Sequence, residues 1–129
     1  MIDGPYRAPA LAERQAEWQA RLAGPGLGFV AIEADRIVGI GHADGERIEL
    51  LYVAPSHHRR GIGRALLRHL LGGLSARDVS SALFNVLAAN ARAIAFYEAL
   101  GARRIGSETM TDAPAPYLDF VYRIDTTAR

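Results

Sequence analysis

The segment from Arg47 to Leu74 constrains this chain most, because it requires a strand to give way to a helix across one short loop. Arg47-Ile48-Glu49-Leu50-Leu51-Tyr52-Val53 is apolar and β-branched enough for a strand, and Pro55 stops it because proline has no N–H for a ladder. From Ile62 the period changes. Ile62, Leu66 and Leu70 form one row and Leu67, Leu71 and Leu74 an adjacent one, the broad apolar stripe of a helix, with Arg64 and Arg68 off that stripe.

Gly61 and Gly63 stand at the mouth of this helix. Glycine lets backbone approach a ligand closely, and the first N–H groups of a helix have no partner within it. The positive end of the helix dipole lies at the same place, so a phosphate or pyrophosphate suits it. Arg59, Arg60 and Arg64 can add charge-assisted bonds at the rim. The same letters also read as a glycine-containing loop with a solvated basic face.

Around this junction the pattern is that of one mixed α/β domain spanning 1–129. APALAERQAEWQARLA, Ala8 to Ala23, predicts a helix with Leu11, Gln15, Trp18 and Leu22 at helical spacing, ended by Gly24-Pro25-Gly26. Phe29 to Glu33 and Ile37 to Ile40, around Ala34-Asp35-Arg36, predict a hairpin. Ser81 to Leu87 predicts a buried strand. Asn90 then caps a helix in which Ala93, Phe96, Tyr97 and Leu100 fall at i, i+3, i+4 and i+7, and Gly101 takes the C′ position. Arg103 to Met110 and Tyr117 to Ile124 form a last hairpin joined through Pro114 and Pro116. The order is helix, three strands, helix, strand, helix, two strands, with a sheet largely antiparallel at its start.

Composition narrows the chemistry. The 129 residues suffice for one core. No apolar run approaches the ~18 residues of a membrane span, and Met1 to Pro5 shows no export pattern, so no membrane partner and a cytoplasmic location are expected. The absence of cysteine excludes disulfides, thiolate nucleophiles and cysteine metal sites. All 15 basic residues are arginine, which excludes a lysine Schiff base or lysine general base. A net charge of +1 argues against a nucleic-acid partner for the arginine-bearing helix Gly61 to Leu71, which would need a wider basic face. His57 and His58 are adjacent and have no carboxylate cluster, so no metal site is expected.

Two phosphate motifs fail here. A P-loop needs a lysine, and Leu66 stands where a dinucleotide fingerprint has its third glycine. What remains is LYVAP, then His58-Arg59-Arg60-Gly61-Ile62-Gly63-Arg64-Ala65-Leu66-Leu67, and later Asn90-Ala91-Arg92-Ala93-Ile94-Ala95-Phe96-Tyr97-Glu98-Ala99-Leu100-Gly101. This pair resembles the GNAT superfamily of acyl-CoA-dependent N-acetyltransferases. The family carries Gln/Arg-x-x-Gly-x-Gly/Ala after a strand ending hydrophobic-Val-x-Pro, and further on Asn-x-x-Ala-x-x-x-Tyr-Glu-x-Leu-Gly. Both blocks fall at the family's separation and the other elements follow its order, so the resemblance covers most of the chain. His58 departs from it, standing where Gln or Arg is usual. The family's first strand is not evident before Ala8, which implies an N-terminally shortened fold whose acceptor site is open or completed by a second copy in a homodimer.

The resemblance implies a mostly antiparallel sheet splayed between two strands, with acetyl-CoA as co-substrate. Its pyrophosphate would lie on His58, Arg59, Arg60, Gly61, Ile62, Gly63 and Arg64, and its pantetheine between the strand ending at Val53 and the strand around Ala82 to Leu87. A backbone N–H within Leu51, Tyr52 and Val53 would bind the acetyl carbonyl and stabilise the oxyanion. Tyr97 would protonate the departing thiolate, and Asn90 would both cap its helix and contact the cofactor.

For the base, Glu49 alternates with Leu51 and Val53 along its strand and reads either as functional or as a solvent-facing position. His42 is a further candidate. Asn85 stands where the ribosomal-protein acetyltransferases of this superfamily carry a glutamate base, which weighs against a peptide N-terminus as acceptor. The implied reaction is direct acetyl transfer to a primary amine of a small molecule or peptide, and the alternative is a non-catalytic acyl-CoA-binding or regulatory module on the same fold.

Overall fold

A computed structural model describes residues 20, 23–111 and 113–127. Six strands, β1 (Leu27–Glu33), β2 (Arg36–Asp44), β3 (Arg47–Val53), β4 (Ser81–Leu87), β5 (Arg103–Met110) and β6 (Tyr117–Asp125), form one sheet ordered β1-β2-β3-β4-β6-β5. Two helices, α1 (Ile62–Ala76) and α2 (Ala91–Ala99), follow β3 and β4. Ala20 and Ala23 are helical. The rest of the helix predicted from Ala8, Trp18 included, lies outside the described residues, as does the expected shortening of the N-terminal edge.

The strands form where the sequence alternates, and the turns between them follow local chemistry. β1 and β2 are joined through Ala34 and Asp35, both at positive φ (50° and 61°), the left-handed pair that matches the twist of a tight hairpin. Asn90 caps α2 by accepting the N–H of Ala93 at 3.0 Å, and Gly101, at φ 99°, ends it beyond Leu100.

The apolar stripe of α1 (Leu66, Leu67, Leu70, Leu71 and Leu74) is fully buried in a core shared with Leu51, Val53, Phe84, Val86, Tyr97, Tyr122 and Ile124. α1 reaches the sheet closely because β2 offers bare backbone to it. A Cβ at Gly41 would lie 2.8 Å from Leu70 Cδ1, and one at Gly39 would lie 3.0 Å from Leu66 Cδ1. A second, smaller cluster gathers Ile40, Leu50 and Tyr52 with Val30 and Ile37.

Alternation along β3 is broken once. Ala43 pairs with Ile48 and His42 with Leu50, so Glu49 is the extra residue of a bulge. This bulge corrects the expectation that Glu49 shares a side with Leu51 and Val53. Ile48, Leu51 and Val53 enter the main core, whereas Glu49 turns to His42.

Candidate functional site

β3 and β4 run parallel, and their one register pair is Arg47 with Leu83, supported by the Leu83 N–H donating to the Glu46 carbonyl at 2.8 Å. Both residues lie near the amino ends of their strands. Toward Val53 and Leu87 the strands part, while β3 stays paired to β2 and β4 to β6. The sheet is therefore splayed at the place where the resemblance requires it.

At the carboxyl end of β3 a cleft of about 190 Å³ is lined by Val53, His57, His58, Arg59, Gly61, Ile62, Gly63, Arg64, Arg92 and Phe96. α1 opens into it. Its N-cap, Gly61, sits at φ 77° with no side-chain cap, and the first helical bond runs from the Ala65 N–H to the Gly61 carbonyl at 3.0 Å. The N–H groups of Ile62, Gly63 and Arg64 precede that bond and are the donors a helix start leaves for a ligand. Gly61 is needed for its left-handed backbone, since a Cβ there would meet nothing within 4 Å. At Gly63 a Cβ would make ordinary contacts of 3.6 Å with Phe96 and Val53, so the packing of the protein would admit alanine.

The arginines divide. Arg59 and Arg64 line the cleft, while Arg60 lies 3.6 Å from the carboxylate of Glu33 at the end of β1, which also pairs with His57. Arg92, in the first turn of α2, adds a guanidinium that sequence reasoning missed, and Phe96 forms part of the wall. The signal for Arg92 was its place two residues after the Asn90 cap, which brings the start of α2 to the same mouth as the start of α1. Phe96 was read as part of the apolar stripe. It is partly buried against the core and also borders the cleft.

His58 also makes a bond within the protein. Its Nε2 is 2.9 Å from the Val53 carbonyl oxygen, which can only accept, so this nitrogen carries the proton. His58 also lines the cleft.

Leu51, Tyr52 and Val53 are buried in β3, with Val53 at the edge of the cleft. Tyr97 is 2% exposed, its ring centroid 4.5 Å from that of Phe84 and 5.1 Å from that of Phe96. His42 is buried in the sheet, and its Nδ1 lies 3.1 Å from Glu49 Oε1, so the two base candidates form one His–carboxylate pair with the carboxylate about one-third exposed (35%). Asn85 Oδ1 accepts from both terminal nitrogens of Arg47 at 3.2 and 3.1 Å, and its Nδ2 donates to Asp119 Oδ2 at 3.1 Å.

Comparison with known proteins agrees with this geometry. A family model described as an acetyltransferase (GNAT) domain matches residues 8–113. The ribosomal protein bS18 alanine N-acetyltransferase of Escherichia coli (strain K12) is 51% identical over 49 residues, which are 38% of this chain and 33% of that enzyme. The match thus spans about a third of the curated relative's length. The crystal structure of the ribosomal-protein-S18-alanine N-acetyltransferase from Escherichia coli superposes with a TM-score of 0.71 at 23% identity, over 87% of this chain and 76% of that one. An aminoglycoside 6′-N-acetyltransferase complexed with coenzyme A gives 0.72 at 15% identity, over 86% and 78%. At those identities the two structures speak for the fold alone. With the family model covering residues 8–113, a sheet that splays after Arg47 and Leu83, and a glycine-opened α1 at its mouth, the chain belongs to the GNAT acetyltransferase family.

Proposed function

We propose that this protein is an N-acetyltransferase that moves an acetyl group from acetyl-CoA to a primary amine of a small molecule or peptide by direct attack. The observation that carries this reading is the parting of β3 and β4 beyond Arg47 and Leu83, with the uncapped start of α1 and three arginines at the open end. The N–H groups of Ile62, Gly63 and Arg64 and the guanidiniums of Arg59, Arg64 and Arg92 suit a pyrophosphate. The widening gap suits the narrow pantetheine arm that leads from it.

In this reading the amine nitrogen attacks the thioester carbonyl, a backbone N–H of β3 holds the developing oxyanion, and the C–S bond then breaks. The departing thiolate, with a free pKa of ~8.5, takes a proton from the Tyr97 hydroxyl. The proton lost by the amine goes to Glu49, whose carboxylate is held by His42. Asn85 carries an amide and cannot take that role. The local likeness to an enzyme named for acetylating an alanine of ribosomal protein bS18 supports keeping peptide amines among the acceptors.

Binding comes first in the test. Acetyl-CoA should raise the melting temperature by mass action, and Gly61→Glu or Gly63→Glu, which puts an anion at the helix start, should abolish the rise. Thiol release across a panel of small-molecule and peptide amines then separates an enzyme from a module that binds acyl-CoA without turnover. Calorimetric titration showing no binding of acetyl-CoA would remove the reading.

A further inference from the structure

The two halves of the sheet, β1-β2-β3 and β4-β6-β5, share a single backbone register pair, Arg47 with Leu83. Next to that pair a chain of side chains crosses the same seam. Arg47 on β3 donates twice to Asn85 Oδ1 on β4, and Asn85 Nδ2 donates to Asp119 Oδ2 on β6. Asp119 is 8% exposed and stands opposite Leu87, the last residue of β4. We propose that Arg47, Asn85 and Asp119 form a clasp that sets how far β3 and β4 part, and that Asn85 is its positioning residue. The proposal rests on the acetyl-transfer reading only for its effect on acetyl-CoA.

Side-chain chemistry explains why an amide fills the centre. The position must present an acceptor to a cation on one side and a donor to a carboxylate on the other, and an asparagine amide supplies both ends in one planar group. A carboxylate at 85 would accept from Arg47 but would set a second anion against the buried Asp119, with neither having a proton to share. The amide thus links the Arg47 guanidinium to the nearly buried Asp119 side chain through one planar group.

Exchanging the residues at 85 and 119 inverts the bonds of the clasp. Asn85→Asp should break the bond to Asp119, while Asn85→Asp with Asp119→Asn should rebuild the chain in reverse, the new carboxylate accepting from Arg47 and from the amide at 119. Amide hydrogen exchange should be about tenfold faster in β3 and β4 beyond the Arg47 and Leu83 pair in the single variant, the factor for losing one coupling of hydrogen-bond size, and should return to the original rates in the double variant. Arg47→Met, which removes an exposed end without burying a charge, should give the same exchange pattern if Asn85→Asp does not fold. Calorimetry adds a second readout. The affinity of Asn85→Asp for acetyl-CoA should fall about tenfold, while that for ADP, which carries a pyrophosphate and no pantetheine, should stay within about twofold.

A double variant no better than the single one, or exchange that rises equally in every strand, overturns the clasp. Because exchange needs no ligand, it decides the clasp even if acetyl-CoA does not bind, an outcome that would remove the proposed function instead.

Discussion

The Nε2–H of His58 donates to the carbonyl oxygen of Val53 across 2.9 Å, fastening the loop before α1 to the last residue of β3. The bond fixes one wall of the cleft against the strand that supplies the other. Replacing His58 with alanine leaves that carbonyl without its donor and should lower stability by about 0.5–1.5 kcal/mol. Urea unfolding of the two proteins checks the figure, and an unchanged midpoint would show that the bond contributes nothing.

Close packing of α1 on β2 predicts a larger effect. A side chain at Gly41 would place its Cβ 2.8 Å from Leu70 Cδ1 and 3.3 Å from Leu70 Cγ, within a fully buried part of the core. Gly41→Val should therefore cost about 1–3 kcal/mol through overpacking, seen as a lower melting temperature. Gly45→Ala, where a Cβ would meet nothing within 4 Å, tests the contrast: its cost comes only from the left-handed backbone at φ 60°.

Tyr122 gives the alkaline limb of stability. Burial, then the hydrogen bond to Glu98 at 2.6 Å and the charge of that carboxylate, push its hydroxyl from 10.0 up to about 12, against a smaller opposing effect of Arg104. The folded state thus holds this proton more tightly than the unfolded chain, so the unfolded chain loses it first as pH rises. The contribution is complete below pH 10 and is lost between pH 10 and about 12. With no lysine in the chain, tyrosines dominate titration in that window. Denaturation midpoints measured from pH 9 to pH 12 should fall less steeply in Tyr122→Phe, and equal slopes would contradict this account.

Proton transfer in the proposed reaction is tested at two residues. With an amine from the panel, Tyr97→Phe and Glu49→Gln should each lower kcat by about a hundredfold or more, the usual worth of a positioned acid or base. The affinity for acetyl-CoA should stay close to that of the original protein, since neither change touches the start of α1. Turnover equal to the original would remove the role concerned.

Much of this architecture was legible because its signals are local. The limits of β3 and β4, the Asn90 cap and the Gly101 stop follow from period, capping and backbone freedom within a few residues. What escaped was decided across strands. The side on which Glu49 stands depends on a bulge fixed by pairing with β2, and alternation along β3 alone gives the opposite answer. His42 and Glu49 were separate candidates in the sequence, and only that bulge makes them a pair. The bonds among Arg47, Asn85 and Asp119 join three strands and have no mark in any one of them. His58 shows a further limit, because a motif position tells where a side chain starts and not which neighbour its ring will satisfy first.

Arg59, Arg64 and Arg92 line the cleft with guanidiniums. A guanidinium keeps its proton at any pH the protein will meet and offers no lone pair to a carbonyl carbon. A lysine in any of these places would bind phosphate as a point charge, without the planar fork that lets a guanidinium meet two oxygens at once. With arginine at all three positions, the mouth of the cleft keeps a positive charge that does not change with pH.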